Sequence, residues 1–389
     1  VKLDGLLGLV SRDPAVDAVT ASMAARASGT LVAPAGVRPP VISLAADKRG
    51  MSTLVVVTAS GRDAESMANA LRAWTDGVEV FPAWETLPHE RLSPQADTMA
   101  RRVAVLRRLA HPVADDPHAG PIRILVVPVR ALLQPVIRGL GDLEPVRVRV
   151  GDVVDLPDLT QRLADLGYER VDMVEARGQM SVRGGILDVF PPQEAHPVRL
   201  ELWGDEVDEV RWFSVSDQRT LGEAAEGLWA IACRELLLTA TVRSRAREAA
   251  HTLPGASEIL ELASEGIPSP GIESLAPVLV DGMDRLVDLV AEDSVFVMSE
   301  PERIRARAED LVATTEEFLR AAWSAAAGGG KVPVQAGTAS FLPLDDVWGS
   351  GARRGWWQFT TLPPAELAEA LAGSGDEGDA AVPAPGRRA

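Results

Sequence analysis

One cysteine, one tyrosine and five histidines are all that 389 residues contain of these three types. The lone Cys233 excludes an internal disulfide framework and a cysteine-built zinc site, and fits a reducing, cytoplasmic setting. His89, His111, His118, His196 and His251 show no metal-ligand spacing, so solvated positions are expected for them. Aromatic residues are 4% of the chain, and no apolar run approaches the length of a membrane span. The start, Val1-Lys2-Leu3-Asp4, has no signal-peptide apolar region and no initiator Met, which suggests an alternative start codon or a truncated chain. Cations are scarce too. Thirty-nine Lys and Arg face 56 Asp and Glu, a net charge of −17, which disfavours autonomous tight binding to a phosphate backbone.

What is present is apolar, at 46%, with 24% charged residues, enough for two or three globular domains. Asp13-Pro14 reads as a helix cap followed by the first helical residue. Thr30–Ala33, Ser52–Thr58, Val78–Phe81 and Ile124–Val129 read as buried strands, separated by helices that include a basic amphipathic one over Asp97–Ala110. Apolar strands alternating with helices imply a parallel sheet covered on both faces. After about Arg138 the pattern changes. A helix over Leu156–Gly167 precedes short alternating strands at Val171–Glu175, Met180–Arg183, Ile186–Phe190, Val198–Trp203 and Val207–Ser214, joined by glycine turns. From about Leu228 helix-and-strand texture returns, through Glu235–Thr239 and Val295–Val297 to a long helix from Pro301 to Trp323 with a capping-box start at Ser299–Glu302. An antiparallel module is therefore expected inside a discontinuous α/β host. Ala325–Gly330 reads as a hinge, Trp348, Trp356 and Trp357 lie in Gly/Arg-rich sequence without periodicity, and Gly373–Ala389 has the composition of a disordered tail.

Recognisable catalytic chemistry is sparse. After the first strand stands Pro34-Ala35-Gly36-Val37-Arg38-Pro39-Pro40. A phosphate cradle needs converging backbone N–H groups, a Lys and a hydroxyl; Pro39 and Pro40 have no N–H, and Lys48 comes too late. The strand Ile124–Val129 carries no acidic pair for a metal, and there is no G-x-S-x-G elbow. Glu85, Glu90, Asp205 and Glu206 read as surface or turn residues. Arg101, Arg102, Arg107 and Arg108 tempt a DNA reading, but a solvated helix face is the simpler expectation. No catalytic, cofactor-binding or metal-binding residue is assigned.

Two blocks carry a family resemblance. The first is Phe81-Pro82-Ala83-Trp84-Glu85-Thr86-Leu87-Pro88 with Ser93-Pro94, Asp97 and Arg101-Arg102. The second runs from Gly167-Tyr168-Glu169-Arg170-Val171-Asp172 through Arg177-Gly178, Val182–Pro191 and Arg199–Glu206 to Phe213 and Asp217–Leu221. Together they resemble the N-terminal region of bacterial transcription-repair-coupling factors (Mfd), and more weakly the excinuclease B subunit (UvrB), over roughly residues 1–323. The resemblance implies a degenerate RecA-like (P-loop NTPase-like) parallel-sheet domain in two chain segments, 1–138 and 225–323. A small α+β antiparallel domain that contacts UvrA is inserted at 139–224, and 324–389 is left as linker and disordered tail. The excinuclease subunit has an intact phosphate loop and a Tyr-rich hairpin; here the only tyrosine is Tyr168, and Phe81–Asp97 is too short for such a hairpin. An ATP-dependent excinuclease B-type enzyme is therefore the alternative, and a stand-alone structural paralogue a third reading.

Under the coupling-factor resemblance the segment recruits nucleotide excision repair to stalled RNA polymerase by binding UvrA. Polymerase and double-stranded DNA would be contacted through C-terminal domains absent here, and ATP and Mg²⁺ would belong to that missing motor, leaving no cofactor and no membrane partner for this segment. The implied docking residues are Arg170, Arg183 and Glu201, with Ser181 standing where the family has another arginine. Strand alternation puts Arg199, Glu201 and Trp203 on an outer face if Leu200 and Leu202 face the core. The simpler alternative is an Arg183–Glu201 pair across the sheet, and Phe190 is either an interface anchor or core.

Overall fold

The computed structural model describes residues 2–50, 52–86, 92–114, 116–327, 341–350 and 354–372. Leu87 and Pro88 of the first motif block, His89, Glu90, Gly328–Gly330 of the hinge and the tail Gly373–Ala389 lie outside the described residues.

Six parallel strands form one sheet in the order Gly29–Val32, Trp356–Thr360, Val295–Ser299, Leu54–Thr58, Ile124–Pro128, Val78–Val80. Period-two alternation divides their side chains between two cores. Leu54, Val56, Ile124, Val126, Val295 and Val297 pack on one face, against the helices Pro14–Ala24, Arg38–Arg49 and Gly61–Arg72. Val55, Val57, Leu125, Val127, Phe296 and Met298 pack on the other, against residues of Ala96–Ala110, Ala240–Thr252 and Pro301–Ala327. Strands sealed on both faces need the near-continuous Val/Ile/Leu runs that made them visible in the sequence. Asp13 caps its helix as expected, its side chain accepting from Ala15 and Val16 N–H groups.

Residues 341–350 and 354–372 correct the expectation of a linker after residue 323. Trp356–Thr360 is an interior strand, between Gly29–Val32 and Val295–Ser299, and the helices Leu344–Ser350 and Pro364–Ala372 flank it. Its tryptophans are core residues: Trp356 stacks on Phe296 at 4.5 Å and on Trp348 at 5.6 Å, and the Trp357 indole N–H donates to Ala27 O at 2.7 Å. Gly29 is required beneath Trp357, because a Cβ there would stand 2.8 Å from the indole. A single five-residue strand between Gly-rich flanks has too little sequence for periodicity to register; its partners lie about sixty and more than three hundred residues away in the chain.

The second sheet has the order Thr220–Glu223, Glu206–Phe213, Val198–Trp203, Ile186–Val189, Gln179–Arg183, Glu169–Arg170. All its neighbours are antiparallel except the short last pair. Its inner face (Met180, Leu187, Val189, Val198, Leu200, Val210) packs with Leu159 and Leu163 of the helix Leu156–Asp165. No strand forms over Val171–Glu175, where one was expected; the two-residue strand Glu169–Arg170 lies just before it. Glu235–Thr239 likewise forms no strand, and Thr239 instead caps Ala240–Thr252. The connection to the first sheet is a two-stranded ribbon of Val146–Val148 and Leu228–Ala230. Helix Ala96–Ala110 joins the bodies, giving Ala100 and Val103 to the core under the second sheet and Val105 and Leu106 to the core under the first.

Cys233 lies in that second core, and burial pushes its thiol up from 9.0 to about 12, with the Tyr168 hydrogen bond and the Arg234 charge opposing. The thiol is expected to resist iodoacetamide in the native protein and to react on unfolding, which mass spectrometry reads directly. Because the folded value is raised, the neutral thiol favours the folded state fully below pH 9.0, and that contribution is lost progressively up to about pH 12.

Candidate functional site

Strand register assembles the outer face of the antiparallel sheet. Arg183 stands opposite Ile186, Ile186 opposite Glu201, and Glu201 opposite Glu209, so one row crosses four strands. The next row is Ser181, Asp188, Arg199 and Arg211. Facing residues in a ladder share a face, so both rows project away from the core.

Asp188 is the centre of this face. It is 1% exposed, and Arg199 grips it with two bonds, Nε to Oδ1 at 2.7 Å and Nη2 to Oδ2 at 2.8 Å. The Arg199 guanidinium also lies 4.6 Å above the Phe213 ring. Hydrogen bonding to Asp188 raises the Arg199 pKa, against burial, with the charges of Asp188 and Glu201 adding to the rise. Arg183 reaches the same carboxylate at 3.4 Å but keeps its side chain 53% exposed. Asp188 thus has its charge neutralised by Arg199, and Arg183 is left oriented and accessible. Bidentate pairing suits the planar guanidinium, and a fixed Arg199 costs Arg183 no competition for its free donors.

The predicted site residues separate. Arg183 and Glu201 share the outer face, but no ion pair joins them; Ile186 stands between them and Arg183 turns to Asp188 instead. Arg170 is exposed but pairs in register with Met180, a core residue, so strand alternation puts it on the opposite side from Arg183. Ser181 is buried and donates to Asp172 O at 2.8 Å. Phe190 is core, in a small cluster with Val174 and Phe213, and Arg177 lies 5.4 Å over its ring. The Asp188–Arg199 pair was missed by reasoning from sequence. Its signal was a lone carboxylate in the apolar run Ile186-Leu187-Asp188-Val189-Phe190, which only a cationic partner makes tolerable.

The first motif block is structural. Arg102 is wholly buried, against the expectation of a solvated face, because the helix that carries it is wedged between two cores. Its Nε meets Glu235 Oε1 at 2.5 Å, its Nη1 donates to Pro82 O at 2.9 Å, and it lies 4.2 Å over Phe81. The Trp84 indole N–H donates to the same Glu235 oxygen at 2.8 Å. Glu85 is a surface residue, as expected, and accepts from Gln95 N at 3.3 Å and from the Thr98 hydroxyl at the start of the helix. Ser93 donates to buried Glu273, which Arg234 also contacts at 3.2 Å. Arg101 pairs with Glu65, Arg108 with Glu79, and Arg107 reaches the carbonyls of Gly141 and Asp142. These four guanidiniums are engaged by the protein itself. Among the described residues no cluster of His, Cys, Asp and Glu suits a metal ion, and no helix is long and apolar enough to cross a membrane.

Residues 146–228, which hold both rows of the face and the first strand of the connecting ribbon, match the UvrB interaction domain family. The antiparallel unit thus falls within a region that matches this domain family. Transcription-repair-coupling factors of Mycobacterium tuberculosis and Mycobacterium bovis are each 46% identical to it over 353 residues, 86% of this chain and 28% of theirs. The transcription-repair-coupling factor of Myxococcus xanthus is 35% identical over 226 residues, 54% of this chain and 18% of that protein. The chain is thus similar to transcription-repair-coupling factors along most of its own length, and it spans less than a third of the length of these curated relatives.

Proposed function

We propose that this segment is a non-enzymatic recruitment module, which binds UvrA through the outer face of its antiparallel sheet and so brings nucleotide excision repair to RNA polymerase stalled at DNA lesions. The observation that carries the reading is Arg183: a guanidinium aimed by a buried carboxylate, half exposed, in the middle of the UvrB interaction domain. Charge pairs that are pre-oriented before contact contribute specificity as well as affinity. Glu201, on the same row, offers the opposite charge to a partner; Arg170 would contact it only from the sheet edge. Polymerase binding, DNA translocation, ATP and Mg²⁺ belong in this reading to the rest of a longer coupling factor acting in the cytoplasm.

We further read the parallel-sheet body as a degenerate RecA-like domain. In open α/β folds ligands gather at the carboxyl ends of the strands. There, after Gly29–Val32, the helix Arg38–Arg49 opens with Pro39 and Pro40, and Arg38 is turned inward to Ser299 Oγ at 3.1 Å and Glu300 at 3.3 Å. A guanidinium paired with a carboxylate at this position supports a scaffold role over nucleotide binding.

Titration calorimetry with purified UvrA tests the proposal. The parent chain is expected to bind without any other domain present, and Arg183→Ala to bind about 10- to 100-fold more weakly, the effect of removing one charged contact worth roughly 1.4–2.8 kcal/mol. Absence of binding by the parent refutes the function, and unchanged binding by the variant refutes the surface.

A further inference from the structure

Trp203 is 84% exposed, the most exposed of the large apolar side chains among the described residues, whereas Trp229, Trp356 and Trp357 are each 6% exposed or less. It stands at the tip of the hairpin between Val198–Trp203 and Glu206–Phe213, opposite Glu206 across the turn at Gly204, whose φ is +66°. On the other side of Glu206 a β-bridge places Val153, 77% exposed. Trp203, Glu206 and Val153 therefore form a third row on the same outer face, one step beyond the Arg183–Ile186–Glu201 row.

This tip is fixed. Leu202 N donates to Gly185 O, Val154 N to Asp205 O and Gly151 N to Val207 O, each at 2.8 Å. A large flat side chain held on a rigid backbone binds with little loss of conformational freedom, the property that makes tryptophan common among the residues that dominate interfaces. The charges around it are mainly acidic: Asp152, Asp205 and Glu206 are exposed, with Arg149 the one basic neighbour in the adjoining loop.

We propose that Trp203, with Val153 beside it, is the apolar anchor of the partner contact, filling an apolar recess bordered by basic side chains on the protein that docks at Arg183. The inference rests on the docking face proposed above, and two features select a partner of that chemistry: the continuity of Trp203 with the Arg183 row and the acidic border. Arg183 then sets orientation, and the indole supplies the desolvated centre that a patch of charges lacks.

The test is calorimetry with UvrA on the full chain, on Arg183→Ala and on four further variants, the melting of each checked first. Trp203→Ala is expected to bind about 30-fold or more weakly, and Trp203→Phe to recover most of the affinity. Val153→Lys is expected to weaken binding about tenfold by meeting the basic border, and Val153→Glu to bind as the parent does. Unchanged binding by Trp203→Ala, with Arg183→Ala still weakened, overturns the anchor and leaves the docking face standing. Equal binding by the Lys and Glu variants overturns the basic border. Failure of the parent to bind removes the docking face itself. Sedimentation showing that Trp203 mediates self-association would assign the patch to a second copy of the chain and likewise overturn the inference.

Discussion

Arg102→Ala is expected to destabilise the protein by about 3–5 kcal/mol, the cost of stranding one member of a buried ion pair. Both side chains are 0% exposed, and with the guanidinium gone Glu235 would keep only the Trp84 indole as a donor in the interior. The loss would spread, because Arg102 also holds the Pro82 carbonyl and covers the Phe81 ring at the junction of two cores. Glu235→Gln should be similarly harmful, since an amide serves Trp84 but leaves the guanidinium uncompensated. The double change Arg102→Met with Glu235→Leu should recover much of the loss, because removing both charges removes the desolvation cost that each imposes. Urea midpoints of the three variants decide the matter: a fall of less than about 1 kcal/mol for Arg102→Ala would mean that water reaches Glu235.

Asp188→Ala is the second large effect, and it reaches stability and recognition together. Removal of the carboxylate takes two bonds from Arg199 and the orienting contact from Arg183. Arg199 keeps 18% exposure and its position over Phe213, so water can partly replace Asp188. The expected destabilisation is therefore about 2–4 kcal/mol, somewhat below that of a fully enclosed pair. Binding to UvrA should weaken beyond what the stability loss explains, because a freed Arg183 must be ordered at the moment of contact. A variant that melts earlier yet binds UvrA as tightly as the parent would show that Asp188 is purely structural and that Arg183 needs no guide.

The two sheets differ in how much of them the sequence disclosed. Leu54–Thr58, Ile124–Pro128 and Val295–Ser299 were readable because burial on both faces demands unbroken apolar runs. Four strands of the antiparallel sheet, Gln179–Arg183, Ile186–Val189, Val198–Trp203 and Glu206–Phe213, were readable from period two and glycine turns, whereas the short outer strands Glu169–Arg170 and Thr220–Glu223 were not. Trp356–Thr360 was not, since nothing local distinguishes one short strand from an aromatic-rich loop. Arg102 was misjudged for a related reason. A helix with an apolar stripe was assumed to have a wet opposite face, whereas this helix has a core on more than one side.

By itself the sequence determined the class: apolar patterning set a parallel and an antiparallel unit in one chain, and two motif blocks marked the coupling-factor family. Those are local properties, carried by neighbours within one strand, turn or helix. The tertiary structure alone decided which residues act together. Asp188 was paired with Arg199 and Arg183, Arg170 was turned to the other side of the sheet, Trp203 was brought onto the Arg183 face, and Arg102 was enclosed. The reason is desolvation. Whether a charge or an indole is buried, paired or left facing water depends on what segments distant in the chain place around it, and no local pattern encodes that.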